Sequence, residues 1–314
     1  MPLFLLNVVI YGLAFTAIWL GAGLIVDSTS RFSHKLKLSS FAFSFIFLGL
    51  LTSTPEFSVG LSAIADKRPE IFVGNLLGGV VVLFLLVIPL LAVVGNGINL
   101  KHELNNHTLA VALMIIAAPS LVVLDKKVTN FEGFILIFLY LLLIFLVERK
   151  HGIFDNGNAK LFNIKSYSYK DILKVLLGLF ALFVSSSIIV DKTIYFADFF
   201  NISAFYLGLI IVSLGTNMPE ISIAIRSAME QKKDIAMGDY LGSAAANMLL
   251  FGVFTLLSSG EVLSVDNFLI TFMFIVGALS VFYILSYKKN FISRKTGIIL
   301  LFAYIVFVAV ELTR

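Results

Sequence analysis

The sequence predicts an all-α membrane protein of ten transmembrane helices, built as two inverted five-helix repeats in which helices 2 and 7 are discontinuous. Three observations predict it. The 314 residues are 59% hydrophobic with a mean hydropathy of +1.01, beyond what a soluble core of this length needs. The chain matches itself at one constant offset of 164 residues, the spacing from Glu56 to Glu220. Each copy also carries a Pro-Glu pair in the middle of a hydrophobic stretch.

Spans of roughly 20 residues cross a bilayer as helices, and ten are drawn here: 3–25, 39–64, 70–95, 107–124, 130–147, 172–190, 203–228, 234–258, 264–287 and 295–312. They are continuous apolar runs rather than alternating ones, so helices that satisfy their own backbone hydrogen bonds are expected, not a β-barrel. The first lacks a basic start and exceeds a usual signal core, so it reads as a retained span. With both termini outside, seventeen of the 23 Lys and Arg residues fall on inner loops, among them Arg31, Lys101, Arg149, Lys232 and Lys288. That asymmetry places the chain as a multi-pass protein of a cell membrane with its N- and C-termini outside.

The repeats are 1–148 and 172–314, joined by a polar inner (cytoplasmic) linker at 149–171. In register at the common offset, Ile25-Val26-Asp27 meets Ile189-Val190-Asp191, and Thr52, Pro55, Glu56 and Ser58 meet Thr216, Pro219, Glu220 and Ser222. Ile71, Gly74, Leu77 and Gly78 likewise meet Ile235, Gly238, Leu241 and Gly242. Five crossings separate a span from its copy, so each copy enters from the opposite side, an arrangement common in secondary transporters. Duplication kept only for packing is the competing reading.

Span 2 reads Leu51-Thr52-Ser53-Thr54-Pro55-Glu56 and span 7 reads Gly215-Thr216-Asn217-Met218-Pro219-Glu220. Proline removes an N–H, so the carbonyls of Leu51 and Gly215 lose helical partners and become candidate cation ligands. The hydroxyls of Thr52, Ser53 and Thr216 and the amide of Asn217 add oxygens, a donor set suited to a hard cation such as Ca²⁺. Glu56 and Glu220 carry most weight, because a carboxylate near the bilayer centre costs about 2.5–3.5 kcal/mol or more unless compensated. Neither span offers a Lys, Arg or His partner at that depth, which leaves a bound cation or a proton. Two hydrogen-bonded, protonated glutamates are the bland reading.

The following spans hold Gly74-Asn75-Leu76-Leu77-Gly78-Gly79 and Gly238-Asp239-Tyr240-Leu241-Gly242-Ser243. Their glycines are expected at close helix contacts. Ser243 and Asn247 share a helical face and point toward the Glu220 centre, whereas the first half has Gly79 and Leu83. The site therefore reads as lopsided, holding two carboxylates, with Asn75 and Asp239 as gate or cap residues. Asp27 and Asp191 read as interfacial caps, and Ser185, Ser186 and Ser187 as helix contacts. His34, His102, His107 and His151 all fall in loops or at span ends, against a histidine metal cluster.

Several classes are excluded. Cysteine is absent, so no disulfide or thiolate site exists. The +4 charge is spread over short loops and predicts no nucleic-acid partner. No nucleotide-binding or hydrolase motif is visible, so no enzyme and no cofactor is expected.

The paired segments at 48–87 and 212–251 resemble the two repeats of the cation/Ca²⁺ exchanger superfamily, closest to the compact prokaryotic Na⁺/Ca²⁺ exchangers with the motif Gly-Thr-Ser-Leu-Pro-Glu. The resemblance implies alternating access by motion of spans 1 and 6 against the rest. It also implies an ion site of Glu56, Glu220, Thr52, Ser53, Thr216, Asn217, Ser243 and Asn247, with inorganic cations and the lipid bilayer as partners and a functional monomer. Gly79, Leu83 and Leu51 depart from the family pattern, as do Asn217 and Asn247. The expectation is a secondary active antiporter exchanging Na⁺ for Ca²⁺, with an H⁺/Ca²⁺ or other divalent exchanger as the alternative. A passive channel and a membrane-embedded enzyme are more distant readings.

Overall fold

The computed structural model describes residues 2–36, 40–65, 67, 69–99, 106–151, 169–199, 206–258, 268–289 and 291–313. Most of the expected linker (152–168) and His102 lie outside the described residues, as do the side chains of His34, His151, Ser186 and Ser187.

Apolar runs become helices in chain order, as expected where backbone groups have no other partner. They begin with α1 (Pro2–Leu36). Span 2 is built in pieces: α2 (Ser40–Phe43), a π-helical turn at Ser44–Leu48, α3 (Gly49–Thr52) and α4 (Thr54–Ala65). Span 3 is α5 (Pro69–Val81), a π-helical stretch at Val82–Val87 and α6 (Ile88–Val94). Then come α7 (Asn106–Val122), α8 (Asn130–His151) and α9 (Tyr169–Phe199). Span 7 again breaks, into a π-helical stretch at Leu207–Val212, α10 (Ser213–Thr216) and α11 (Met218–Met229), followed by α12 (Lys233–Leu257), α13 (Phe268–Lys289) and α14 (Arg294–Leu312). One two-residue ladder, β1 (Ile98–Asn99) with β2 (Phe291–Ile292), ties the loop after span 3 to the loop before α14.

Eight of these helices are long and apolar enough to cross a membrane, and nine if α10 and α11, bent by 49°, count as parts of one span. The expectation was ten; α9 runs unbroken over the expected sixth span, 172–190, but part of its side chains lies outside the described residues.

The helix breaks follow from the two motifs. α3 is capped at Ser53 and α10 at Asn217, each two residues before its proline, because proline donates no hydrogen bond to the preceding turn. The start of α8 carries a side-chain cap. Glu132 Oε2 accepts from the Thr129 backbone N–H at 2.7 Å, while Thr129 Oγ1 accepts from the Glu132 N–H at 3.3 Å, a reciprocal cap on α8.

Helices 5 and 12 fill the interior. Phe72, Phe251 and Phe254 pack ring against ring there, at 5.9 and 5.4 Å. α8 and α14 instead turn Phe131, Phe138 and Phe302 outward, as expected of a lipid-facing layer.

Glycines set the closest approaches. A Cβ on Gly242 would overlap the Phe45 carbonyl and one on Gly238 the Phe41 carbonyl, so span 2 runs parallel to α12 with backbones in contact. In the other half, a Cβ on Gly78 would overlap the Leu209 carbonyl and one on Gly208 would meet Ile71, so span 3 runs parallel to span 7. α1 and α9 pair with Gly21 and Gly178 back to back and pack against Leu48, Met218 and Ile223. At one end α1 is tied to the rest: Lys232 Nζ lies 3.0 Å from Asp27 Oδ1, and Arg226 sits 6.0 Å over the Trp19 ring. Asp27 is thus an ion-pair partner rather than a helix cap.

Candidate cation site

Glu56 stands in the first turn of α4 and Glu220 in the first turn of α11. The breaks re-aim both side chains inward. Glu56 is 1% exposed and Glu220 0%, and Thr52, Ser53, Thr216, Asn217, Ser243 and Asn247 are buried with them. All eight sequence-predicted site residues therefore lie inside the protein, on the two broken spans and α12.

Their contacts form two unequal sets. Around Glu220, the Ser243 hydroxyl donates to Glu220 Oε1 at 3.0 Å and lies 3.1 Å from Thr52 Oγ1. Around Glu56, the Asn217 amide nitrogen donates to Glu56 Oε1 at 3.3 Å and to the Ser213 carbonyl at 2.8 Å. A residue of span 7 thus holds the glutamate of span 2. Glu56 Oε2, Glu220 Oε2, Asn217 Oδ1 and both polar atoms of the Asn247 amide have no hydrogen-bond partner among the described residues. Buried polar atoms without partners are costly, so such a concentration marks a place where a ligand belongs. No ion pair to Glu56 or Glu220 occurs among the described residues.

Not every expected ligand points inward. The Ser53 hydroxyl donates to the Gly49 carbonyl at 2.8 Å, leaving only its lone pairs for a cation. The Thr216 hydroxyl is directed at Asn75 Oδ1, 3.1 Å away. The Leu51 carbonyl, freed by Pro55, is a correction: it accepts the Thr54 hydroxyl, and Leu51 itself is exposed. The Gly49 carbonyl does meet site side chains, accepting from Ser53 Oγ at 2.8 Å and approached by Ser243 Oγ at 3.4 Å. Gly49 stands six residues before Pro55, where no missing N–H marks its carbonyl in the sequence.

A second correction concerns the number of acids. Asp239, expected with Asn75 as a gate or cap residue, is 0% exposed, and its Oδ1 lies 3.0 Å from Thr52 Oγ1, so a third buried acid stands beside the two glutamates. The available signal was an acid inside a membrane span where the first repeat has an amide. No group of three or more His, Asp or Glu converges on one metal position among the described residues. Glu220 and Asp239 are connected through Ser243 and Thr52 instead, while Glu56 is held by Asn217.

Gly79 explains the lopsidedness at atomic scale. A Cβ there would lie 2.6 Å from Asn247 Nδ2 and 3.2 Å from Asn217 Nδ2. The two amides occupy the volume a side chain at Gly79 would take, and Asn217, oriented by the Ser213 carbonyl, does so with nitrogen, a donor that cannot bind a cation.

The chain matches the family model described as "Sodium/calcium exchanger protein" over residues 6–147 and 170–313. It is 25% identical over 266 residues to the inner membrane protein YrbG of Escherichia coli, covering 80% of this chain and 82% of that one. It is also 25% identical to the putative antiporter CaxA of Alkalimonas amylolytica, covering 78% of each chain. A structure of the sodium-calcium exchanger NCX_Mj superposes with a TM-score of 0.80 at 21% identity, covering 97% of this chain and 98% of that one, and so has the same fold.

Proposed function

The chain belongs to the sodium/calcium exchanger protein family, a family of membrane antiporters, and from that premise we propose that it exchanges Na⁺ for Ca²⁺ at a central site built on Glu56 and Glu220. The observation that carries this reading is the burial of one glutamate from each half, at 1% and 0% exposure, with an unpartnered oxygen on each. Two carboxylates are neutralised by one Ca²⁺ or by monovalent cations, so the ions compete for one centre and exchange follows from charge balance. Thr52, Ser243, Asn247 and the Gly49 carbonyl supply further oxygens to an ion that takes 6–8 of them.

Alternating access requires the two halves to insert in opposite senses. The registers support this: span 2 lies parallel to α12, span 3 lies parallel to span 7, and spans 2 and 3 form a hairpin through the turn at Lys67. Span 2 and its copy, span 7, then run oppositely, which a ten-span chain with both termini outside accommodates. The closely paired α1 and α9 are the elements that would slide past the site.

The test is Ca²⁺ uptake into proteoliposomes loaded with Na⁺. Uptake that needs the outward Na⁺ gradient and fails in Glu56→Gln and Glu220→Gln supports the reading. Uptake driven instead by a pH gradient assigns H⁺ as the counter-ion, and uptake indifferent to either gradient refutes exchange.

A further inference from the structure

The two repeats make the same interhelical contact with different chemistry. In the first repeat Asn75, on α5, accepts the Thr216 hydroxyl at 3.1 Å; in the second, Asp239 on α12 accepts the Thr52 hydroxyl at 3.0 Å. Both acceptors are 0% exposed. The contact itself therefore needs only a carbonyl-type oxygen, which the amide of Asn75 already provides. A carboxyl group at Asp239, which can carry a negative charge, exceeds what packing or hydrogen bonding demands.

That charge is expensive where it lies, since a buried carboxylate is kept only with a compensating partner. Asp239 Oδ2 has no hydrogen-bond partner among the described residues, whereas its Oδ1 is used by Thr52. The described cations at that end of α12 are committed elsewhere: Lys232 to Asp27 and Glu230, and Arg226 to Glu230. Asp239, Ser243 and Asn247 follow one another at four-residue steps, each rising about 6 Å along one face of α12. Thr52 Oγ1 touches both of the first two, and Ser243 in turn reaches Glu220.

We propose that Asp239 is a third acid of the transport centre, a cation ligand that adds a monovalent-ion position on the second-repeat side, one helical turn along α12 from the Ser243 that donates to Glu220. This deepens the exchange reading and rests on it. It shifts the ion-binding capacity away from Glu56, where amides fill the space beside Gly79, toward the second repeat. The number of monovalent ions bound is then set by Asp239 as well as by the glutamate pair.

The experiment is radiolabelled Na⁺ and Ca²⁺ binding to purified full-length protein, with Asp239→Asn beside the wild type. This substitution copies the first repeat's own solution and keeps the acceptor for Thr52, so folding is retained and is checked by its melting temperature. The expected result is one Na⁺ fewer bound per protein, with half-saturating Na⁺ raised roughly tenfold or more and Ca²⁺ binding retained. Unchanged Na⁺ stoichiometry and affinity in Asp239→Asn overturn the proposal, because they make Asp239 a neutral hydrogen-bonding group. The converse variant Asn75→Asp, which gives the first repeat the same acid, should gain Na⁺ affinity; a loss there would also count against it. Failure of the exchange reading is told apart by Glu56→Gln and Glu220→Gln: if they leave Ca²⁺ binding intact, the centre itself is wrong, whatever Asp239→Asn does.

Discussion

Asn217 Nδ2 stands 3.3 Å from Glu56 Oε1, so the glutamate of one broken span is held by an amide of the other. The nitrogen end is fixed because the Ser213 carbonyl, which can only accept, takes a second hydrogen from it at 2.8 Å. Glu56 therefore receives a donor on the side where a cation ligand set would need oxygen. Gly79→Ser introduces a hydroxyl beside these amides and displaces their flexible ends. The expected outcome is a steeper dependence of Ca²⁺ release on external Na⁺, with a Hill coefficient above the wild-type value. An unchanged curve would mean that the amides do not occupy an ion position.

Removing either central charge should be far more damaging. Glu56→Gln and Glu220→Gln keep size and hydrogen bonding but leave the cation one carboxylate short in a water-free site, where losing a charge partner costs about 2–5 kcal/mol. Exchange rates in proteoliposomes should fall roughly hundredfold, with little change in melting temperature. A variant that retains more than half of the wild-type rate would remove that glutamate from the site.

The glycine contacts make a prediction about stability rather than transport. Gly78→Ala drives a methyl into the Leu209 carbonyl and Gly242→Ala drives one into the Phe45 carbonyl; neither backbone can retreat without separating helices. Each should cost about 1–3 kcal/mol. Gly277→Ala, with nothing within 4 Å of the added carbon, should stabilise α13 by about 0.5–1 kcal/mol. Thermal unfolding in detergent orders the three.

Asp27 and Lys232 join α1 to the turn before α12 and lie outside the membrane span. Partial burial pushes the Asp27 carboxyl up, but the hydrogen bond and charge of Lys232 outweigh it and hold the group below its usual 3.8. Burial likewise lowers Lys232, but Glu230 and Asp27 raise it above 10.5. A depressed acid stabilises the fold above its unfolded value and loses that as pH falls through the lower folded value. A raised amine stabilises it below its unfolded value and loses that as pH rises through the higher one. The link is therefore intact between about pH 4 and pH 10, and because it is exposed it is worth at most about 1 kcal/mol. Asp27→Asn should lower the melting temperature by roughly a degree within that window, and the difference should shrink as the pH falls below 3.8; a difference that does not shrink would point to packing instead.

Much of this architecture was legible in the chain. Hydrophobic runs mark the helices because lipid leaves the backbone no other partner, and the prolines at 55 and 219 mark the breaks at Ser53 and Asn217. Glu56 and Glu220 stood out because an acid in a membrane span needs a reason. What escaped depends on which way an atom points. The Leu51 carbonyl was freed as expected, but the Thr54 hydroxyl took it. Asn217 contributes nitrogen, not oxygen, to its neighbour, a choice made by Ser213 four residues away. Asp239 reads from the sequence as a gate or cap residue, and what the sequence does not carry is the approach of Thr52 from span 2, whose hydroxyl lies 3.0 Å from the Asp239 carboxylate.

The central claim is that Ca²⁺ and Na⁺ compete for the Glu56–Glu220 pair. Equilibrium binding of radiolabelled Ca²⁺ to the purified protein, titrated with Na⁺, tests it most directly. The account predicts complete displacement of Ca²⁺ at saturating Na⁺, and no Ca²⁺ binding in the Glu56→Gln, Glu220→Gln double variant. Ca²⁺ that stays bound at saturating Na⁺, or that binds the double variant as it binds the wild type, would contradict it.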